Sequence, residues 1–141
     1  MNPEACPPKA GEHLVLSGTV VSGARKAAFF TQLDWVRSQC LHHLGFEPFP
    51  GTLNLRLAEQ DESSASRVLN LPGLPLLPPA EASCAGRVYP VSIGAIPGAI
   101  VVPEETVRIH DSGVLEILAP VSLREALHLE DGDRVSLAVR L

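Results

Sequence analysis

The sequence predicts a mainly β domain: a small closed barrel with one longer and one short α-helix. Three observations lead there. Most apolar segments are short, β-branched and of period two; glycine-containing turns separate them; and only one long stretch repeats its apolar residues at helical spacing. Such a pattern lacks the alternating strand and helix units of a parallel α/β sheet.

The elements follow in order. Residues 14–22 (LVLSGTVVS) are apolar and β-branched and run into Gly23, which makes a first strand. Residues 29–44 make the longer helix, because Phe29, Leu33, Val36, Cys40 and Leu44 recur at spacings of three and four and form one apolar stripe. Thr31 with Asp34 fits a capping box at its start, and Gly45 stands where a left-handed C-terminal cap is expected. Pro50-Gly51 marks a turn. Residues 52–57 (TLNLRL) then alternate strictly, with Leu53, Leu55 and Leu57 on one face and Thr52, Asn54 and Arg56 on the other.

Residues 58–83 are the least regular part. The 61–66 stretch is polar and 71–79 holds four of the 13 prolines, so loop and short irregular pieces are expected. Residues 86–93 and 98–102 are two further strands, and 107–109 with 114–118 suggest a hairpin across Asp111-Ser112-Gly113. Ser122-Leu123-Arg124-Glu125 is a capping box opening a short helix that runs to about His128. Asp131-Gly132-Asp133 is a turn, and 134–141 is a closing strand with Val135, Leu137 and Val139 on one face. The sum is six or seven strands. No second core follows the irregular stretch, so one domain over 13–141 is expected, preceded by a flexible tail over 1–12.

Composition narrows the function. The 141 residues are 45% hydrophobic and 19% charged, a globular balance, and the net charge is -5. A nucleic-acid surface would show as a basic excess, so that partner is not expected; nucleotide binding needs only a few local cations and stays open. Cys6, Cys40 and Cys84 are odd in number and widely spaced, which fits neither a disulfide framework nor a zinc signature. No apolar run reaches the roughly 18 residues of a membrane span. The polar N-terminus carries no secretory h-region. A cytoplasmic monomer is the default expectation.

No generic catalytic motif is present: no P-loop, G-x-S-x-G, H-E-x-x-H or G-x-G-x-x-G. Of His13, His42, His43, His110 and His128, the adjacent His42 and His43 point about 100° apart on a helix and do not suit one metal. Thr52 and Asn54 share a strand face, and a hydroxyl with an amide carbonyl is a hard oxygen pair suited to Mg²⁺. The alternative is strand polar groups satisfied by their neighbours. Ser122 opens a helix with Arg124 in its first turn, which suits either phosphate binding or plain capping. Glu116 lies in the apolar strand 114–118 and shares a face with Val114 and Leu118, at a rim or in a pocket.

Four segments together resemble the CTP-dependent riboflavin kinases of archaeal type. They are Gly18-Thr-Val-Val-Ser-Gly23; Leu44-Gly-Phe-Glu-Pro-Phe-Pro-Gly-Thr-Leu-Asn-Leu55; Gly98-Ala-Ile-Val-Val-Pro103 leading to Thr106; and Leu115-Glu-Ile-Leu-Ala-Pro-Val-Ser-Leu-Arg124 followed by Leu129-Glu-Asp-Gly-Asp-Arg-Val135. The resemblance runs from about Gly18 to the C-terminus; only 58–85 finds no counterpart. It implies a six-stranded cradle-loop β-barrel that transfers the γ-phosphate of CTP to riboflavin, giving FMN and CDP. It implies Mg²⁺ on Thr52 and Asn54, flavin contacts from Thr106 and Glu116, and nucleotide contacts from Val121, Ser122, Leu123 and Arg124. A second nucleotide segment would be Ala24, Arg25, Lys26, Ala27, Ala28 and Phe29. There the family usually carries a glycine-containing loop, and alanines restrict the backbone approach that glycines allow. Arg25 and Lys26 could compensate as side-chain phosphate ligands, and the alternative is that the loop has lost its nucleotide role, leaving a barrel that holds flavin or nucleotide without turnover.

Overall fold

The computed structural model describes residues 13–22, 31–77, 86–103 and 113–140. The elements are β1 (His13–Val21), α1 (Asp34–Leu44), β2 (Leu53–Leu57), α2 (Glu62–Leu69, entered through a 3-10 turn at Glu59–Asp61), β3 (Leu74–Leu76), β4 (Gly86–Ile93), β5 (Ile96–Pro103), β6 (Val114–Leu118), α3 (Leu123–Ala126) and β7 (Arg134–Arg140). The expected tail over 1–12, the strand at 107–109 and the thiols Cys6 and Cys84 lie outside the described residues.

All pairings are antiparallel, in the order β3-β4-β5-β6-β2-β1-β7, with an additional pairing of β4 to β7. That additional pairing closes six strands into a ring. It is short, Val91 opposite Val139 and Ser92 opposite Ala138. β4 thus has β5 along one edge and two partners on the other: β3 at Gly86–Val88 and β7 farther on.

Every strand of the ring sends alternate residues to one apolar cluster. Leu16 and Val20 of β1, Leu53 and Leu55 of β2, Val91 and Ile93 of β4, Ile100 and Val102 of β5, Leu115 and Ile117 of β6, and Val135, Leu137 and Val139 of β7 are all buried in it. Ala65 and Val68 of α2 and Leu123 of α3 join the same cluster. A second cluster covers the other face of β4 and β5: Val36 and Cys40 of α1 pack on Leu76, Val88, Ala99, Val101 and Leu118. β4 and β5 are therefore apolar on both faces, which is why 98–102 reads as an unbroken apolar run rather than an alternation. Burial pushes the Cys40 thiol up to about 11.

α1 is shorter than the periodicity predicts. It begins at Asp34, and its N-cap is Leu33, which has no side chain to cap with, so the expected Thr31–Asp34 capping box does not form. Thr31 is buried instead, and its Oγ1 accepts the Gly51 N–H at 3.5 Å. The C-terminal cap is as expected: Gly45 has φ 84° and donates to the Leu41 carbonyl at 2.9 Å. Gln39 ties α1 to the end of β3, giving its amide N–H to the Leu77 carbonyl at 2.6 Å and accepting the Leu77 N–H at 2.7 Å. His43 shares a 2.9 Å hydrogen bond with the Pro75 carbonyl beside that tie, a structural use of one of the paired histidines.

The irregular stretch expected over 58–83 holds two elements, α2 and β3. α2 buries Ala65 and Val68, three residues apart, with Leu69 beside them. Three serines in eight residues hide that stripe in the sequence. Among the described residues three α-helices therefore stand where two were expected. Among the described residues no helix is long and apolar enough to cross a membrane.

β5 meets β6 through only two residue pairs, Ala99 with Leu118 and Ile100 with Ile117. Gly98 makes that approach possible, since a Cβ there would stand 2.8 Å from the Leu118 carbonyl oxygen. Gly98→Ala is expected to lower unfolding stability by about 1–3 kcal/mol, read as a shifted urea midpoint; an unchanged midpoint would contradict the close approach.

Candidate active site

β2 and β6 pair so that Asn54 lies opposite Glu116. Leu53 and Leu55 face Ile117 and Leu115 on the core side, so alternation puts Asn54 and Glu116 on the other face. Both are nearly inaccessible, Asn54 at 6% and Glu116 at 3% exposure. Burying a carboxylate is costly unless it is hydrogen-bonded. Thr52, just before β2, meets that need: its hydroxyl lies 2.9 Å from Glu116 Oε1 and 3.3 Å from Asn54 Oδ1. A threonine has one hydroxyl proton, and the shorter contact to a carboxylate is the stronger bond. The proton therefore goes to Glu116, and the lone pairs of Thr52 stay available on the other side.

The expected metal pair and the expected flavin carboxylate are thus one cluster of three oxygen-bearing side chains. It holds a single carboxylate. Among the described residues no group of three His, Cys, Asp or Glu side chains is placed to hold a metal ion.

Thr52 also lines a pocket of about 80 Å³ at the end of the β2–β6 pair. Its walls include Phe49, Pro50 and Gly51 before β2, and Val121, Ser122, Leu123 and Arg124 at the start of α3. The walls are fixed locally. Phe49 N–H donates to the Ala119 carbonyl at 2.7 Å, which bolts the turn before β2 to the segment after β6. Gly51 has φ 110°, a conformation that a side chain would strain. Ser122 caps α3, its Oγ accepting the Glu125 N–H at 3.3 Å. α3 is a single turn of four residues, shorter than the helix to His128 that the sequence predicts, and His128 has φ 54°.

Arg124 enters the pocket wall from a hydrogen-bonded knot. Its Nη2 donates to Asp131 Oδ1 at 2.6 Å and to Ser22 Oγ at 3.2 Å, and Ser22 Oγ in turn donates to Asp131 Oδ2 at 2.7 Å. Sequence reasoning placed Arg124 here but missed Ser22 and Asp131, which are 109 positions apart and carry no shared motif. Phe49 was missed too, and its signal was an aromatic residue beside a turn at the edge of the metal pair. Thr106 and the residues 24–29 lie outside the described residues.

A larger, mostly apolar cavity of about 190 Å³ lies at the opposite end of the β2–β6 pair, between α2 and β6. None of the metal, flavin or nucleotide residues expected from the sequence lines it.

The Arg124 hydrogen bond, with that of Ser22, holds the Asp131 carboxyl below its ordinary value of 3.8. A lowered folded-state value means that this interaction stabilises the fold above the ordinary range and is lost as the pH falls through the lowered value. A carboxyl ¹³C titration of Asp131 should give a midpoint below 3.8, moving upward in Arg124→Ala; a midpoint indifferent to Arg124 would contradict the assignment.

The family model CTP-dep_RFKase, described as a domain of unknown function (DUF120), matches residues 20–139. The chain is 39% identical over 132 residues to a riboflavin kinase of Methanoregula boonei, covering 92% of this chain and 59% of that protein. It is 42% identical over 129 residues to a riboflavin kinase of Thermococcus kodakarensis, covering 89% and 58%. A riboflavin kinase of Pyrobaculum aerophilum is 39% identical over 129 residues, covering 89% and 60%. The chain spans about three-fifths of the length of these curated relatives. Across its described residues and beyond them, the chain belongs to the CTP-dependent riboflavin kinase family.

Proposed function

We propose that the chain is a CTP-dependent riboflavin kinase built on a cradle-loop β-barrel, converting riboflavin and CTP to FMN and CDP. The observation that carries the reading is the meeting of Thr52, bonded to Glu116 and beside Asn54, with residues 121–124 around one pocket. The family match and the names of the relatives support the same reaction. Nothing in the described residues favours binding without turnover.

The donor set fits Mg²⁺. This ion takes hard oxygens and binds through one or two carboxylates plus substrate phosphates. Thr52 Oγ1 and Asn54 Oδ1, two hard oxygens on one strand face, stand 3.3 Å apart. Thr52 and Asn54 would hold the ion, with Glu116 fixing the Thr52 hydroxyl. When bound, the ion neutralises charge on the phosphate oxygens.

The rest falls to the chain's own groups. In the transfer, the bond between the γ-phosphorus and the bridging oxygen of CDP breaks. A bond forms from that phosphorus to the 5'-hydroxyl oxygen of riboflavin, and the hydroxyl proton leaves. Such transfers depend on positioning and charge neutralisation more than on covalent help. Arg124 brings a permanent positive charge to the pocket wall. Glu116, buried behind Thr52, is the carboxylate of the cluster. Val121 and Phe49, both exposed at the pocket, give the substrates apolar surface to cover.

Purified chain incubated with riboflavin, Mg²⁺ and each nucleoside triphosphate should form FMN with CTP, read by chromatography. Absence of FMN with every donor would overturn the proposal. Asn54→Ala should lower turnover by roughly 100-fold or more with an unchanged circular dichroism spectrum; surviving turnover would remove Asn54 from the metal site.

A further inference from the structure

Arg124 is held in place from outside the pocket. All its hydrogen bonds leave from Nη2, to Asp131 Oδ1, Ser22 Oγ and, at 3.5 Å, the Val21 carbonyl. A guanidinium has five N–H donors. The three on Nε and Nη1 make no hydrogen bond among the described residues.

Asp131 is itself a fixed point. The turn that carries it is braced within itself by Asp133 N–H to the Glu130 carbonyl at 3.0 Å and by Glu130 N–H to Asp133 Oδ2 at 2.8 Å. It is braced to β1 by Gly132 N–H to the Val20 carbonyl at 2.9 Å and by Val20 N–H to the Asp133 carbonyl at 2.8 Å. Ser22 follows directly on β1 and locks the carboxylate from the other side, reaching both of its oxygens at 2.7 and 2.9 Å. A long side chain with many rotamers, half-exposed at a pocket edge, is thus held at one corner by a rigid carboxylate, with its other donors left for a ligand.

We propose that Asp131, with Ser22, is a positioning residue that presents Arg124 to the phosphates of the nucleotide. The inference rests on the reading of Arg124 as a nucleotide contact. Asp131 touches no substrate; it acts by removing rotamer freedom that binding would otherwise have to remove. The ion pair is surface-exposed, and such pairs contribute little to folding, so its role in stability is small.

The test is Asp131→Asn, with Ser22→Ala as a second variant, measured by calorimetric titration of CDP with Mg²⁺ and by steady-state kinetics. Asp131→Asn should raise the nucleotide Kd and KM by roughly three- to tenfold and leave the riboflavin KM unchanged. Ser22→Ala should move them in the same direction. In an Arg124→Ala background, Asp131→Asn should add nothing. An unchanged nucleotide Kd, an equal rise in both KM values, or a further loss in the Arg124→Ala background would overturn the proposal. Wild-type chain that binds CDP but forms no FMN would remove the kinase reading alone, and the CDP titrations would still decide the role of Asp131. Wild-type chain that binds no CDP would overturn both.

Discussion

The pairing of β2 with β6 is the constraint on which the site depends. Its register sets Asn54 opposite Glu116 and turns Leu53, Leu55, Leu115 and Ile117 into the core. A slip of one residue would send every one of those side chains to the wrong face. The apolar face therefore fixes the polar one: four buried aliphatic side chains hold an amide and a carboxylate side by side where neither would settle alone. Thr52 completes the arrangement by giving Glu116 its hydrogen bond and extending the cluster to the pocket.

The ring then supplies the rest of the pocket. β1 lies beside β2 on one side and β7 on the other, so the end of β1, the turn before β7 and the start of α3 converge near one place. Ser22, Asp131 and Arg124 are the side chains of that convergence. The closing contact between β4 and β7 is only two residue pairs long, because β3 occupies the first part of the same edge of β4. α1 covers β4 and β5 from outside and shields them with Val36 and Cys40. Burial on both faces makes this part of the sheet a stiff support behind the site.

Most of the ring was legible in the sequence. β4 has the bounds that its apolar and β-branched residues predict, and β7 alternates as expected through Val135, Leu137 and Val139. The Gly45 cap was legible because left-handed φ has a strong residue preference. α2 was not, because its stripe is two turns long and lies among serines, and the polar composition read as loop. The Thr31 cap failed because a tertiary partner, the Gly51 N–H, took the hydroxyl that a local rule assigned to the helix. In the site, Thr52 and Asn54 were legible as a pair because period two is local. Their junction with Glu116 needed the register of two strands 64 positions apart, and the Ser22–Asp131–Arg124 knot needed the closed ring.

The proposed site holds a divalent cation, shared with the nucleotide phosphates, on Thr52 and Asn54, with Glu116 fixing the Thr52 hydroxyl. Mn²⁺ is a spectroscopic stand-in for Mg²⁺, and its free concentration can be followed by electron paramagnetic resonance while CDP and the chain are titrated. The wild-type chain with CDP should take up one Mn²⁺ that Glu116→Gln binds more weakly and Asn54→Ala does not bind, with all three proteins equally folded. Uptake of Mn²⁺ with CDP that is as tight in both variants as in the wild type would contradict the claim.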